Sequence, residues 1–379
     1  MILLLHNRYR TTGGEERSVD DYAWLVREHL GEETEVLERD SAALSRPRAA
    51  VAMLRGGLQP DDVAAAVRRT GARIVHAHNV NPSFGWRALR AARGAGAGVV
   101  LHLHNYRLVC AVGTCFTRGA DSTRCHGRNT LPGVRLACRG DRAEAAVYGS
   151  GLALWQRRLA ASADRFLVPS AAALERLREL GAPLDGRVAV IPHPVRAFAD
   201  DSAAASGTYA LVASRLAPEK GVHVAIDAAR RAGRPLVVVG DGPLRGALRQ
   251  HARGADVTFH DAVGPDRFAQ LRRGAAVALV PSRSAETFGL AAAHAMAAGV
   301  PVVASRIGAL PELVDPESLV PPGDPAALAA ALQRRWGDAA AGERGLRRVR
   351  EHCAPAAVAE RLAAVYAEAR PDAGKVPAK

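Results

Sequence analysis

The sequence predicts an α/β protein made of two Rossmann-like halves, each a parallel sheet covered by helices. Three observations predict it. Short apolar runs alternate with amphipathic stretches along the chain, and such strand–helix alternation implies parallel sheets with helices on both faces. The alternation pauses once, over residues 193–207, and then resumes. The 379 residues are enough for two domains of ordinary size.

In the first half, Ile2–Leu5, Arg73–His76, Gly98–Leu103, Arg165–Val168 and Val188–Ile191 read as buried strands. Helical patterns lie between them at Val19–Leu30, Asp61–Arg69 and Ala171–Leu180. Pro192, Pro194 and the soft run from Asp200 to Gly207 suit a linker. The second series of strands is Tyr209–Ala213, Leu236–Val239, Val257–Phe259, Val277–Val280 and Val300–Ala304. Ala356–Arg370 reads as a helix, and the tail after Pro371 is expected to fray. The expected domains are therefore 1–195 and 208–352. Residues 353–379 form a terminal helix and tail, expected to pack back on the N-terminal domain. Two such sheets are expected to face each other across a cleft, with ligands at the C-terminal ends of the strands.

Composition narrows the function. Apolar residues make up 48% and charged residues 23%, as in a globular protein with a substantial core. The net charge of +13 rests on arginine, because lysine occurs only at Lys220, Lys375 and Lys379. GC-rich coding also produces such arginine, alanine and glycine usage; the functional reading is attraction to anions such as nucleotide diphosphates. Aromatics are only 4%, so stacking on bases has little material, and no nucleic-acid motif is present. The N-terminal Met1–His6 lacks a basic lead and a cleavage site, and no apolar run reaches the roughly 20 residues that span a bilayer. The expected location is the cytoplasm, with peripheral membrane contact through basic surface left open.

Three segments after strands of the second half carry chemistry. Ser214-Arg215-Leu216-Ala217-Pro218-Glu219-Lys220-Gly221 offers Arg215 as a fork and Lys220 as a point charge for a diphosphate. Gly240-Asp241-Gly242-Pro243 lies between a strand and a helix, where glycine permits close backbone approach. Pro281–Leu290 runs into a helix near Gly289, whose free N–H groups favour an anion. Glu286 lies just before that helix, where it can accept from sugar hydroxyls.

In this order and spacing the three segments resemble the retaining glycosyltransferases of family 4, which have the GT-B fold. That family carries a Gly-Arg-Leu-x-x-Glu-Lys-Gly-like segment, matched at Ser214–Gly221, and a Glu-x7-Glu motif. Gly308-Ala309-Leu310-Pro311-Glu312 is similar to its Gly-Gly-x-x-Glu segment, with Ala309 replacing the second glycine. The resemblance implies that Arg215 and Lys220 hold the donor diphosphate and that Glu286 contacts the donor sugar. It also implies that amides of Thr287, Phe288, Gly289 and Leu290 cradle phosphate. One position departs from the motif: His294 stands where the second glutamate, which binds ribose hydroxyls, is expected. Eight residues is just over two helical turns, so on a continuous helix His294 would face the same way as Glu286. An imidazole offers one donor and one acceptor, where a carboxylate accepts twice.

In the first half, Gly13-Gly14 precedes a helix, and Gly14 is a candidate donor contact. Ile74–Asn79 and Leu101–Arg107 each end a strand with paired histidines: His76 with His78, and His102 with His104. Alternation places each pair on one face. No third ligand sits at a metal-typical offset, so no catalytic metal is expected. The resemblance points instead to His104 beside the donor sugar. Cys110, Cys115, Cys125 and Cys138 fall within one segment. Their spacing lacks a Cys-x2-Cys knuckle, and free thiols, a structural zinc clip and disulfides all stay open. Residues 107–142 also carry seven arginines, suited to an acidic acceptor or a membrane surface.

The resemblance therefore implies a metal-independent retaining transferase. It would move a hexose or aminosugar from a UDP- or GDP-sugar to a glycan, lipid-linked or small-molecule acceptor, in cell-envelope or natural-product glycosylation. Two alternatives remain: a catalytically weakened nucleotide-binding subunit, suggested by His294, and a nucleotide-sugar epimerase.

Overall fold

The structure, a computed structural model, describes residues 1–9 and 13–369. Arg10, Thr11 and Thr12 of the first loop, and the tail expected to fray after Pro371, lie outside the described residues. Two compact units are present. One holds Met1–Cys115, Ser122–Pro194 and the segment from Pro355; the other holds Phe116–Asp121 and Val195–Ala354.

The first unit runs β1 (Ile2–Arg8), α1 (Gly14–Leu30), β2 (Thr34–Asp40), α2 (Arg46–Arg55), α3 (Pro60–Thr70), β3 (Ile74–Ala77), α4 (Gly85–Gly94) and β4 (Gly98–His102). A short hairpin, β5 (Phe116–Thr117) and β6 (Ala120–Asp121), belongs to the second unit. The first unit resumes with α5 (Leu131–Arg135), α6 (Arg142–Ala161), β7 (Arg165–Val168), α7 (Ala171–Glu179) and β8 (Val188–Val190). Its six strands lie in the order β2-β1-β3-β4-β7-β8, all parallel. Ile2–Leu5 are wholly buried because β1 is covered on both faces, hence the continuous apolar run. The strand β2 escapes sequence reading for the converse reason. It reads Thr-Glu-Val-Leu-Glu-Arg-Asp along a half-wet sheet edge, where charge is favoured over an apolar run.

The second unit runs β9 (Tyr209–Ala213), α8 (Val222–Ala232), β10 (Leu236–Val239), α9 (Arg245–His251), β11 (Val257–His260), α10 (Pro265–Arg273) and β12 (Ala275–Val280). It continues with α11 (Leu290–Ala297), β13 (Val302–Ser305), α12 (Leu310–Leu313), β14 (Leu319–Val320), α13 (Pro325–Arg335) and α14 (Ala339–Cys353). The parallel order is β11-β10-β9-β12-β13-β14. Successive strand residues alternate between two cores. Ala210, Val212, Val238, Val277 and Leu279 pack with α8 and α13; Leu211, Val237, Val239, Ala278 and Val280 pack with α11 and α14. Helices therefore cover both faces. The final helix, α15 (Pro355–Ala369), belongs to the first unit, where Val358, Leu362 and Tyr366 join Ile2, Leu4, Tyr22 and Ile74 in one core.

The two halves differ in strand order. The second has the Rossmann order, reversing direction between β9 and β12. The first has the flavodoxin-like order, reversing between β1 and β3. In each sheet the switch point opens a crevice at the strand C-termini. No helix among the described residues is long and apolar enough to cross a membrane.

Candidate functional site

The second unit's switch point gathers the charged residues singled out above. Beyond β9 the chain makes a short 3-10 turn, Pro218–Lys220, which ends at Gly221 with φ +65°. A Cβ on Gly221 would lie 2.1 Å from the Pro281 carbonyl oxygen, so only glycine lets the two loops meet here. The Arg283 N–H donates to the Glu219 carbonyl at 2.7 Å and ties the loops together.

Across this seam Lys220 Nζ donates to Glu286 Oε1 at 2.6 Å, and Ser282 Oγ donates to the same oxygen at 2.5 Å. Burial works to raise the Glu286 pKa, but the Lys220 charge, these two hydrogen bonds and the nearby Arg215 outweigh it and hold the carboxyl below its ordinary value. Arg215 is ion-paired with Glu219, four residues on, and its side chain stays 40% exposed. Gly308 supports Glu286 from behind: its φ is +56°, and a Cβ there would lie 2.4 Å from both the amide nitrogen and the carbonyl oxygen of Glu286. The Ala309 N–H donates to that carbonyl at 2.9 Å.

Gly289 caps α11 in a left-handed conformation with no side-chain cap, so the helix mouth presents backbone N–H groups beside this cluster. Phe288 is buried in the core, which leaves the backbone as the polar element of its residue. Gly242 has a packing role: a Cβ on it would come within 2.6 Å of the Leu216 carbonyl, so it lets the Gly240–Gly242 turn support the Arg215 loop.

His294 does not stand two helical turns beyond Glu286, contrary to the expectation from sequence. Helix α11 begins only at Leu290, so three of the eight residues after Glu286 lie outside the helix, and two helical turns do not relate the pair. His294 lies half-buried on α11, where its carbonyl accepts from Arg272.

In the first unit, Gly14 opens α1, and the Glu16 carboxylate accepts from the Gly13 and Tyr9 N–H groups at 2.7 and 3.1 Å. Glu15 Oε2 accepts from Tyr9 Oη at 2.7 Å and Asn105 Nδ2 at 2.9 Å, while the Arg107 guanidinium covers the Tyr9 ring at 4.6 Å. Burial pushes the Glu15 carboxyl up to about 7 against the pull of Arg107.

His104 stands two residues past β4 in a stack that local spacing did not reveal. The His102–His104 ring centroids are 3.8 Å apart and those of His104–His193 are 5.2 Å apart; His78 Nδ1 lies 2.7 Å from His104 Nε2. Burial, together with neighbouring imidazoles, holds His104 well below its ordinary pKa, so the ring is neutral. A third histidine joins each strand pair in space, although none sits at a metal-typical offset in sequence. His76, His78 and His102, and likewise His102, His104 and His193, bring one ligand atom each within 4.8 Å of one another. The third member comes from a neighbouring strand or from a loop some ninety residues later, so no sequence offset could show it.

None of Cys110, Cys115, Cys125, Cys138 and Cys353 is in a disulfide. Among the described residues the four clustered cysteines do not gather as a metal group, so the zinc-clip alternative finds no support in the geometry. The Cys110 sulfur accepts from the Cys115 thiol and from loop N–H groups, which outweigh burial and lower its pKa to about 6.

Residues 207–338 match the family described as "Glycosyl transferases group 1", and residues 11–194 match the "Glycosyl transferase 4-like domain". The chain is 34% identical over 278 residues to D-inositol 3-phosphate glycosyltransferase of Acidothermus cellulolyticus, covering 64% of this chain and 61% of that protein. It is 44% identical over 85 residues to the GDP-mannose-dependent alpha-(1-6)-phosphatidylinositol dimannoside mannosyltransferase of Mycobacterium tuberculosis, 22% of each chain. The matched stretches thus span less than two thirds of either relative. Among solved structures, sucrose-phosphate synthase of Thermosynechococcus elongatus superposes with a TM-score of 0.69 at 20% identity, covering 97% of this chain and 98% of that one. Anabaena HepE in complex with UDP and glucose gives 0.63 at 18% identity, covering 97% and 99%. At these identities the structural likeness shows the fold.

Proposed function

This chain belongs to the family 4 glycosyltransferases, with the GT-B fold, and from that premise we propose that it transfers a hexose or aminosugar from a nucleotide sugar to an acceptor hydroxyl with retention. The observation that carries the reading is how the Lys220–Glu286 pair is made. Both contacts to Glu286 fall on Oε1, which leaves Oε2 to accept from a donor-sugar hydroxyl. Lys220 has three N–H donors and spends one on Glu286, so the others can meet a diphosphate oxygen.

In the proposed reaction the bond from the anomeric carbon to the diphosphate oxygen breaks as the acceptor oxygen bonds to that carbon on the same face. The acceptor proton passes to the departing diphosphate. Lys220, Arg215 and the N–H groups of Thr287–Leu290 stabilise the negative charge that develops there. His104, neutral, is a hydrogen-bond donor available to an acceptor hydroxyl on the first unit, whose helix start at Gly14 lies at the same switch point. His294 meets the nucleotide in place of a carboxylate. No step requires a metal.

UDP- and GDP-sugars are the proposed donors, and the relatives named for inositol phosphate and phosphatidylinositol mannoside favour a polyol hydroxyl as acceptor. The test is release of nucleoside diphosphate from a panel of UDP-, GDP- and dTDP-sugars with and without inositol-type acceptors, with the product anomer assigned by NMR. Inversion at the anomeric carbon would refute retention; absence of both turnover and donor-induced thermal stabilisation would refute the donor site.

A further inference from the structure

The stacked histidines of the first unit have no part in holding a diphosphate, and their arrangement carries a separate reading. His76, His78 and His102 are 0%, 3% and 1% exposed. They come from β3, the residue beyond it and the end of β4. His76 Nε2 and His102 Nδ1 lie 3.3 Å apart. Zinc–imidazole bonds of about 2.05 Å in a tetrahedron place two ligand nitrogens about 3.3 Å apart.

Two of the three outer nitrogens are held as metal-binding histidines require. His76 Nδ1 meets Tyr366 Oη at 2.8 Å and His78 Nδ1 meets His104 Nε2 at 2.7 Å; such partners fix the tautomer and the ring orientation. His78 Nε2 is buried without a hydrogen-bond partner, which costs about 1–3 kcal/mol unless something binds there. The Tyr22 ring stands edge-on to His76 and His102 and tilted to His78, at centroid distances of 5.4, 4.9 and 5.8 Å, and covers the group.

We propose that His76, His78 and His102 form a structural site for a borderline divalent transition-metal ion, zinc foremost. The site is distinct from the donor-phosphate residues. Nitrogen-only, uncharged ligands suit zinc, cobalt or nickel over magnesium or calcium. Burial keeps the imidazoles neutral, the form that binds metal. The rings now stack, His76 and His102 within 3° of parallel, so coordination turns them about χ2, a broad torsion. The bound ion then braces β3, β4 and, through Tyr366, α15.

The experiment uses the full chain without a histidine tag, equilibrated with zinc chloride, dialysed, and measured by mass spectrometry for metal. The expected content is about one zinc per chain. His78→Asn and His102→Gln each bring it below a tenth, while replacing Cys110, Cys115, Cys125 and Cys138 together by serine leaves it unchanged. To separate loss of the site from loss of the fold, the cobalt-loaded natural chain supplies a second readout: visible d–d bands without an intense near-ultraviolet thiolate band. Less than a tenth of a zinc in the natural chain, metal that follows the cysteines, or a cobalt–thiolate band would each overturn the assignment.

Discussion

Replacing Lys220 by alanine separates what the cation does for folding from what it does for the reaction. The ammonium is 27% exposed and its partner Glu286 only 15%. Its loss strands a largely buried carboxylate that keeps only the Ser282 hydrogen bond and the more distant Arg215 charge. Breaking one partner of a fully buried pair costs 3–5 kcal/mol; partial exposure reduces this to roughly 2 kcal/mol. At about 2–4 °C per kcal/mol for a unit of this size, the melting point falls by about 4–8 °C.

The catalytic effect is larger. Removing one preorganised group from a developing oxyanion costs about 2.7–4 kcal/mol, a loss of 100–1,000-fold in kcat. The double variant Lys220→Ala with Glu286→Gln discriminates the two. Removing the stranded charge recovers most of the melting temperature, since coupled neighbours depart from additivity by about 0.5–3 kcal/mol, whereas turnover stays at the single-variant level or below. Melting is followed by calorimetry and turnover by diphosphate release under donor saturation. Lys220→Ala retaining more than a tenth of native kcat would refute the diphosphate assignment; a double variant no more stable than the single would refute the buried-pair argument.

Gly308→Ala is expected to push the Glu286 backbone, because the new Cβ has nowhere to go. A displacement near 1 Å costs about 100-fold in kcat, with little change when the unrelated Gly254 is replaced; equal losses at the two sites would count against the positioning role. His294→Glu restores two acceptors toward ribose, and a charge-assisted hydrogen bond is worth about 1.5–3 kcal/mol. The donor KM should fall about tenfold or more, and an unchanged KM would remove His294 from the nucleotide site. Acid should destabilise the first unit. His6 titrates at about 4, and His76 and His193 at about 3, because burial, aided at His6 by Arg8, lowers all three below the unfolded value of 6.5. The unfolded chain therefore binds protons that the folded chain refuses. Stability present above pH 6.5 is lost as pH falls toward 4, by about 4 kcal/mol per unit near pH 5. Urea midpoints at pH 7.5 and pH 5 measure this, and equal midpoints would contradict it.

The sequence by itself determined the class of the fold and the place of its inner strands, to within three residues at either end. Tyr209–Ala213 and Leu236–Val239 fall where their apolar runs fall, because a strand covered on both faces must be apolar throughout. It also marked Lys220 and Glu286, because loops at a switch point carry the polar residues that the core refuses. Only the tertiary structure decided what lies between elements. The edge strand Thr34–Asp40 has no apolar run to announce it, and the non-helical start of Pro281–Gly289 breaks the spacing from Glu286 to His294. Tertiary structure alone brings Lys220 onto Oε1 of a carboxylate 66 residues away and collects His193 beside His102 and His104. The physical reason is the same in each case. Propensity and periodicity act over a turn or two of chain, whereas ion pairs, ligand sets and close glycine contacts are set by which strand ends the sheet order makes neighbours.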